Sequence, residues 1–330
     1  YEINISGGAI NGGSGDGYTI YSTEAVTVKD GAVLDIQSGT YGIASYEPVT
    51  LENVSGTIAV DNAAIWAIGN DIVVKGCKLT LKGSSTVNAG NGQSNLAAIQ
   101  ITDSELGISG VTPLYVAGDM TIMDSELTVT ATQRPIVANY GTLTIDGEKT
   151  NVQAAGGWYI SGTGVDIRNG NVNVSVTVPE DSTQTSMGAI YASTGGISIS
   201  GGTVNASIGG KEDIRKVALI TGGDLNITGG ITTLRGDYPI FISANGGGSL
   251  SFGGTQWYQW ADSALETPVM STETPYTYAF SRNKYLRIEP IGTTYSLTVE
   301  GGEGSGSYTA GSEVSISAEP YNGQGHFSEW

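Results

Sequence analysis

The sequence predicts an all-β solenoid, a chain wound into stacked coils of short strands. Three observations predict it: a passage written three times over, a first strand that recurs along most of the chain, and no sustained helical period. The passage is residues 118–176. Its first copy contains Met120-Thr-Ile122, Leu127-Thr-Val129 and Pro135-Ile-Val-Ala138. The second contains Leu143-Thr-Ile145, Val152-Gln-Ala154 and Trp158-Tyr-Ile160, and the third opens with Val165-Asp-Ile167 and Val172-Asn-Val174. Turn residues (MDSE, DG, RNGN) separate the pieces. In an extended strand, alternation sends two side chains of each apolar-x-apolar piece inward and one outward. No copy can bury its inward face alone, so the copies must stack. Apolar residues at helical spacing persist nowhere over a useful length.

The first strand can be followed through the chain. It reads Ile3/Ile5, Val26/Val28, Val49/Leu51, Ile72/Val74, Ile99/Ile101, Met120/Ile122, Leu143/Ile145, Val165/Ile167, Ile197/Ile199, Leu225/Ile227 and Leu250/Phe252. Most spacings are ~21–25 residues, a repeat length typical of solenoids. Longer ones carry insertions at 82–96, 177–187 and 207–216. About ten coils at ~4.8 Å each predict a rod on the order of 50 Å long. Coils of this kind resemble the right-handed parallel β-helix, the fold of pectate lyases and of many bacterial surface proteins. The resemblance spans residues 1–254 as a pattern of strands, and it implies the fold more than any activity.

After Phe252 the cadence stops. An open solenoid end exposes its core and an unpaired strand edge, so residues 255–291 are expected to form a small antiparallel β cap, with strand-like runs at 276–280 and 285–288. Trp257 and Trp260 are expected to serve as capping side chains. From residue 292 the chain reads YSLTV, then GSGSYTAGSEVSI, then a closing FSEW. These pieces resemble, in order, the divergent internalin-type B-repeat of bacterial surface proteins, here as a partial module over 292–330. The resemblance implies an exported, multi-module protein attached to the outside of a bacterial cell, in which such modules act as spacers.

Charge narrows the partners. The formal net charge is -18, which disfavours nucleic acid and anionic membrane surfaces. A polyanionic polysaccharide would need local basic residues or bridging cations; a neutral glycan would need neither. No apolar run approaches the length of a membrane span. Cys77 is the one cysteine and His326 the one histidine, so an intrachain disulfide is impossible and a His/Cys metal site disfavoured. Tyr1 stands almost directly before the strand Ile3-Asn-Ile5, which suggests a start trimmed of any leader.

Stacking turns each outward residue into a column. The first face presents Thr27, Thr50, Val73, Gln100, Thr121, Thr144, Asp166, Ser198, Asn226 and Ser251; the second presents Thr80, Gly107, Thr128, Gln153, Asn173, Asn205 and Thr233. Both read as solvated strand faces. The third reads Trp66, Asn88, Tyr115, Val137, Tyr159, Tyr191, Ile220 and Phe241. A strip of outward aromatic side chains calls for a cover or a ligand. The insertions at 177–187 and 207–216 fall beside it and could wall it into a groove. Pyranose rings present apolar C–H faces that suit such rings, with Arg134, Arg215 and Asp237 at hand for hydroxyls. The competing expectations are inserted loops folded over the strip, and packing against a second copy of the chain.

Carboxylates supply the remaining candidates. Asp30, Asn53, Asp103, Asp124, Asp146 and Asn169 follow the first piece, where Asx residues commonly form turns. Asp103 and Asp124 lie in the near-identical strings ITDSEL and IMDSEL, with Glu105 and Glu126 beside them. Stacked carboxylates repel unless solvated or bridged, which makes calcium the one candidate cofactor. Catalysis on a polysaccharide would need a positioned base with cation-binding carboxylates, or two facing carboxylates. Arg134 and Asp237 flank the third piece, but no catalytic constellation is recognisable. The expectation is a non-catalytic, extracellular protein of the bacterial surface that binds polysaccharide, a host or cell-wall glycan, along its aromatic face. The alternatives are a polysaccharide lyase or glycoside hydrolase, and a stalk or adhesin that binds a protein.

Overall fold

A computed structural model describes residues 1–13, 15–37, 39–243, 247–253, 256–261, 269–271, 284–300, 302–309 and 312–318, with backbone pairing alone for 256–261, 269–271 and 318. The described chain is all-β, a parallel β-solenoid of about 11 turns with no helix. The first-face strands pair in parallel in the register that the apolar pattern demands. Ile3 pairs with Val26, Val26 with Val49, Val49 with Ile72, Ile72 with Ile99, Ile99 with Met120 and Met120 with Leu143. The series continues through Val165, Ile197, Leu225 and Leu250. Val26, Val49, Ile72, Ile99, Met120 and Leu143 are fully buried, as are Ile145 and Ile167. Each such side chain contributes roughly 1.5–3 kcal/mol by leaving water. One apolar core therefore runs the length of the described coils.

The second face stacks as expected, with Thr80 beside Gly107, Thr128, Gln153, Asn173, Asn205 and Thr233 in successive coils. The third face departs from three separate strips. Third and first pieces belong to one 18-stranded sheet, and the second pieces to one of 13 strands. In the central coils a single strand runs from third piece into first: Ile136–Asp146, Ile160–Ile167 and Ser186–Ile199. Glycine makes this continuity possible. A Cβ at Gly141 would lie 2.2 Å from the Gly118 carbonyl carbon, and one at Gly162 would lie 2.3 Å from the Gly164 oxygen. Glycine thus lets neighbouring coils pass closely at Gly141 and lets the strand turn its own corner at Gly162.

The expected third-face register is corrected in one coil. Val137 pairs with Ser161, not Tyr159, and Ile160 pairs with Ile190. The irregularity lies between Gly162 and Gly164, where the coil has two fewer corner residues than its neighbours on either side. A slip of two residues leaves the inward and outward sets unchanged.

The turn after the first piece is also a column. Gly7, Asp30, Asn53, Gly76, Asp103, Asp124 and Gly147 hold positive φ in seven successive coils. Gly170, Gly202 and Gly230 take the role one residue later in the following coils. The extra chain of the 82–96 insertion falls between Val87–Ala89 and Ile99–Thr102, at the corner from third face to first.

The far end is capped as expected. Tyr285–Pro290 pairs antiparallel with Ile231–Arg235, Gln256–Ala261 pairs with it in turn, and Val269–Ser271 pairs with the latter. Leu286 and Ile288 are fully buried and extend the core. Trp257 and Trp260 stand opposite Glu289 and Leu286 in this ladder; their side chains, and the expected strand at 276–280, lie outside the described residues. Beyond the cap, Thr294–Leu297 forms an antiparallel hairpin with Gly306–Thr309. The Tyr295 hydroxyl donates to the Glu289 carboxylate and accepts from Arg287 Nη2 at 2.6 Å, which ties hairpin to cap. The closing FSEW lies outside the described residues.

Candidate functional site

In register, the outward third-face residues are Tyr21, Ala44, Trp66, Asn88, Tyr115, Val137, Ser161, Tyr191, Ile220 and Phe241. The middle of this column is not an exposed strip, because Val137 and Ser161 are buried. The expected continuous platform is therefore two aromatic clusters, with Tyr115 half-buried between them.

The first cluster is a stack. Tyr18 lies 4.8 Å from Tyr21 and 4.7 Å from Tyr41, and Tyr41 lies 5.0 Å from Trp66, with planes 18–30° apart. Rings stacked this closely spend their faces on one another. Trp66 thus stands at the end of this ladder, with one face stacked on Tyr41. Tyr18, Tyr21 and Tyr41 were missing from the sequence-derived strip. The matching phase of YTIY at 18–21, YGIA at 41–44 and AAIW at 63–66 is the signal that would have found them.

The second cluster lines a groove of about 610 Å³. Tyr159, two residues before Ser161, also points out of the coil, and its ring lies 5.0 Å from that of Tyr191 at a 40° tilt. Trp158, expected to point inward, is half-buried against the core and lines the same groove, 6.2 Å from Tyr159. Ile220 and Phe241 extend the apolar floor, while Gln184, Ser186, Ser193, Thr194 and Ser243 supply amide and hydroxyl groups around it. Burial pushes the Tyr159 phenol up from its ordinary value against the pull of the nearby Arg134 charge, and the same holds at Tyr115. Both phenols therefore stay protonated donors at neutral pH.

The inserted loops build one wall. Lys211 Nζ donates to the Ser182 carbonyl at 2.8 Å, and Lys216 Nζ donates to the Lys211 carbonyl at 3.0 Å. The two insertions are thereby tied together beside the strip without closing over it, since Tyr159, Tyr191 and Phe241 remain half-exposed. Arg215 leaves this wall with its guanidinium carbon 4.4 Å from the Phe241 ring and its Nε donating to Ser186 Oγ at 3.2 Å. Arg134 sits beyond the other end, 6.0 Å from the Trp158 ring, with Nε buried and without an acceptor among the described residues.

Other candidates are placed elsewhere. Asp237 accepts from the Lys216 amide at 3.0 Å and stands 3.4 Å from its Nζ, so it anchors the wall and does not line the groove. Arg235 lies 5.3 Å from the Tyr285 ring, under the cap. Among the described residues lining the groove there is no Asp or Glu. Asp103 and Asp124 occupy the positive-φ turn column, and Glu105 and Glu126 are register neighbours on the second sheet. Lys78 Nζ lies 2.6 Å from the Glu105 carboxylate and balances its charge. Among the described residues, no group of three or more His, Cys, Asp or Glu could hold a metal ion.

The fold and the groove together define a parallel β-helix that carries a half-open aromatic cleft between loops of its later coils and its third face. Comparison with family models, with curated proteins and with solved structures finds no match.

Proposed function

We propose that this chain binds polysaccharide, without transforming it, in the groove formed by Trp158, Tyr159, Tyr191, Ile220 and Phe241. The supporting observation is the groove's composition: half-exposed aromatic rings ringed by hydroxyl and amide side chains, beside a wall fixed by its own hydrogen bonds. Sugar rings need an apolar surface for their C–H faces and spaced polar partners for their hydroxyls. Hydrolysis would call for two carboxylates about the scissile bond, and the described lining provides none. The setting that suits this reading is the bacterial cell surface, in keeping with the resemblance of residues 292–330 to surface-protein modules.

Aromatic contacts are worth about 0.5–1.5 kcal/mol each in protein pairs, and ring–sugar contacts should be of that order. Tyr159→Ala or Tyr191→Ala should weaken binding several-fold on a glycan array and by calorimetry, and the double variant should nearly abolish it. Both rings are half-buried, so the double variant should lower the melting temperature modestly while leaving the far-UV spectrum intact. A folded double variant that retains the parent's glycan profile would overturn the reading.

A further inference from the structure

We infer that the groove selects saccharides carrying an anionic substituent, a carboxylate or sulfate, held by Arg215 and Ser186 at the Phe241 end. The inference rests on the polysaccharide-binding reading and goes beyond it by naming the charge of the ligand.

The chain as a whole repels anions, with 32 acidic and 14 basic residues. Many of its cations are spoken for: Lys29, Lys75, Lys78, Arg168, Lys216 and Arg287 each lie within ion-pair distance of a carboxylate. Neither Arg215 nor Arg134 does so among the described residues. Arg215 lines the groove at the Phe241 end and Arg134 lies beyond the Trp158 end, and the described lining between carries no Asp or Glu. The described lining of the groove thus holds one cation, Arg215, and no carboxylate, on a protein that is acidic as a whole.

Arg215 is also held in place for recognition. Its guanidinium carbon lies 4.4 Å from the Phe241 ring centroid and Nε donates to Ser186 Oγ, while its terminal nitrogens have no acceptor among the described residues. A guanidinium so fixed presents a planar fork of N–H donors that matches a carboxylate or sulfate edge. A neutral sugar would exploit the donors but leave the charge unanswered, and Gln or Asn would have served it as well. Ser186 stands beside the fork as a further hydroxyl partner.

The test uses two matched pairs of probes at one ionic strength, with chelator present so that no cation bridges ligand to protein. Oligogalacturonides are compared with their fully methyl-esterified counterparts, and dextran sulfate with dextran. The charged member of at least one pair should bind about tenfold tighter, the worth of one charge-assisted hydrogen-bonded pair. Whichever pair shows the preference identifies carboxylate or sulfate. Arg215→Gln should erase the preference, and Arg215→Lys, which keeps charge but loses the fork, should keep only part of it. Arg215 is exposed, so both variants should fold. Equal binding within both pairs, or a preference that survives Arg215→Gln, overturns the inference; the polysaccharide reading would still stand if the Tyr159→Ala, Tyr191→Ala double variant lost binding. A glycan array that returns only neutral ligands also overturns the inference alone. Absence of binding to any probe or array glycan overturns both.

Discussion

At the scale of single residues, neighbouring positions on one strand have opposite environments. Ile145 is fully buried between Ile122 and Ile167, while Thr144, one residue earlier, lies on the outer face between Thr121 and Asp166. Ile145→Asp would place a carboxylate in a continuous apolar stack, with a cost of several kcal/mol. Thr144→Asp adds only a solvated charge beside Asp166, which Arg168 already balances at 2.7 Å. Its cost should stay below about 1 kcal/mol. Urea denaturation of the two variants should separate them clearly; similar midpoints would contradict this inward and outward assignment. The alternation behind it was legible in the sequence, because most first-face strands set two apolar residues about one polar residue.

At the scale of elements, the turn column tells which acidic residues are structural. Asp103 and Asp124 hold φ of 50° and 47°, a left-handed conformation that Asn, Asp and Gly tolerate and branched residues do not. Asp124→Gly should leave stability nearly unchanged, whereas Asp124→Val should cost about 1–2 kcal/mol by the same urea denaturation. The conformation accounts for both aspartates without an ion, so added calcium should leave the parent's melting temperature where it was. The first and second faces were legible to the residue, since an error of one position would have turned apolar side chains outward. The third face was legible only in part. A slip of two residues at Ser161 preserves the alternation, so pattern alone could not tell Tyr159 from Ser161 as the partner of Val137. The same slip hid Trp158, which was counted among the core. Distances between rings on neighbouring coils, such as the stack from Tyr18 to Trp66, have no counterpart in a one-dimensional pattern.

At the scale of the whole molecule, the cap decides how the rod ends. The edge Ile231–Arg235 is covered by an antiparallel strand whose Leu286 and Ile288 continue the core. Ending the chain at residue 254 should bare that edge and the apolar surface behind it, and bare parallel edges recruit other chains. Light scattering after size exclusion should show concentration-dependent association of the shortened protein, while the full chain keeps a constant mass. A shortened chain of unchanged mass would mean that the last coil protects itself. The sequence signalled a cap by the loss of cadence after Phe252, but not which sheet it would extend. The stacking of coils has a mechanical consequence as well. Strands lie across the rod, so the hydrogen bonds between coils run along its length, and a pull on the two ends loads these layers in series. Each layer can then open by itself. From Val26 to Val49, one coil is 23 residues of chain stored in a rise of ~4.8 Å, and it would pay out roughly 80 Å when drawn straight. Under tension such a stack would lengthen coil by coil, each layer releasing its stored chain in turn.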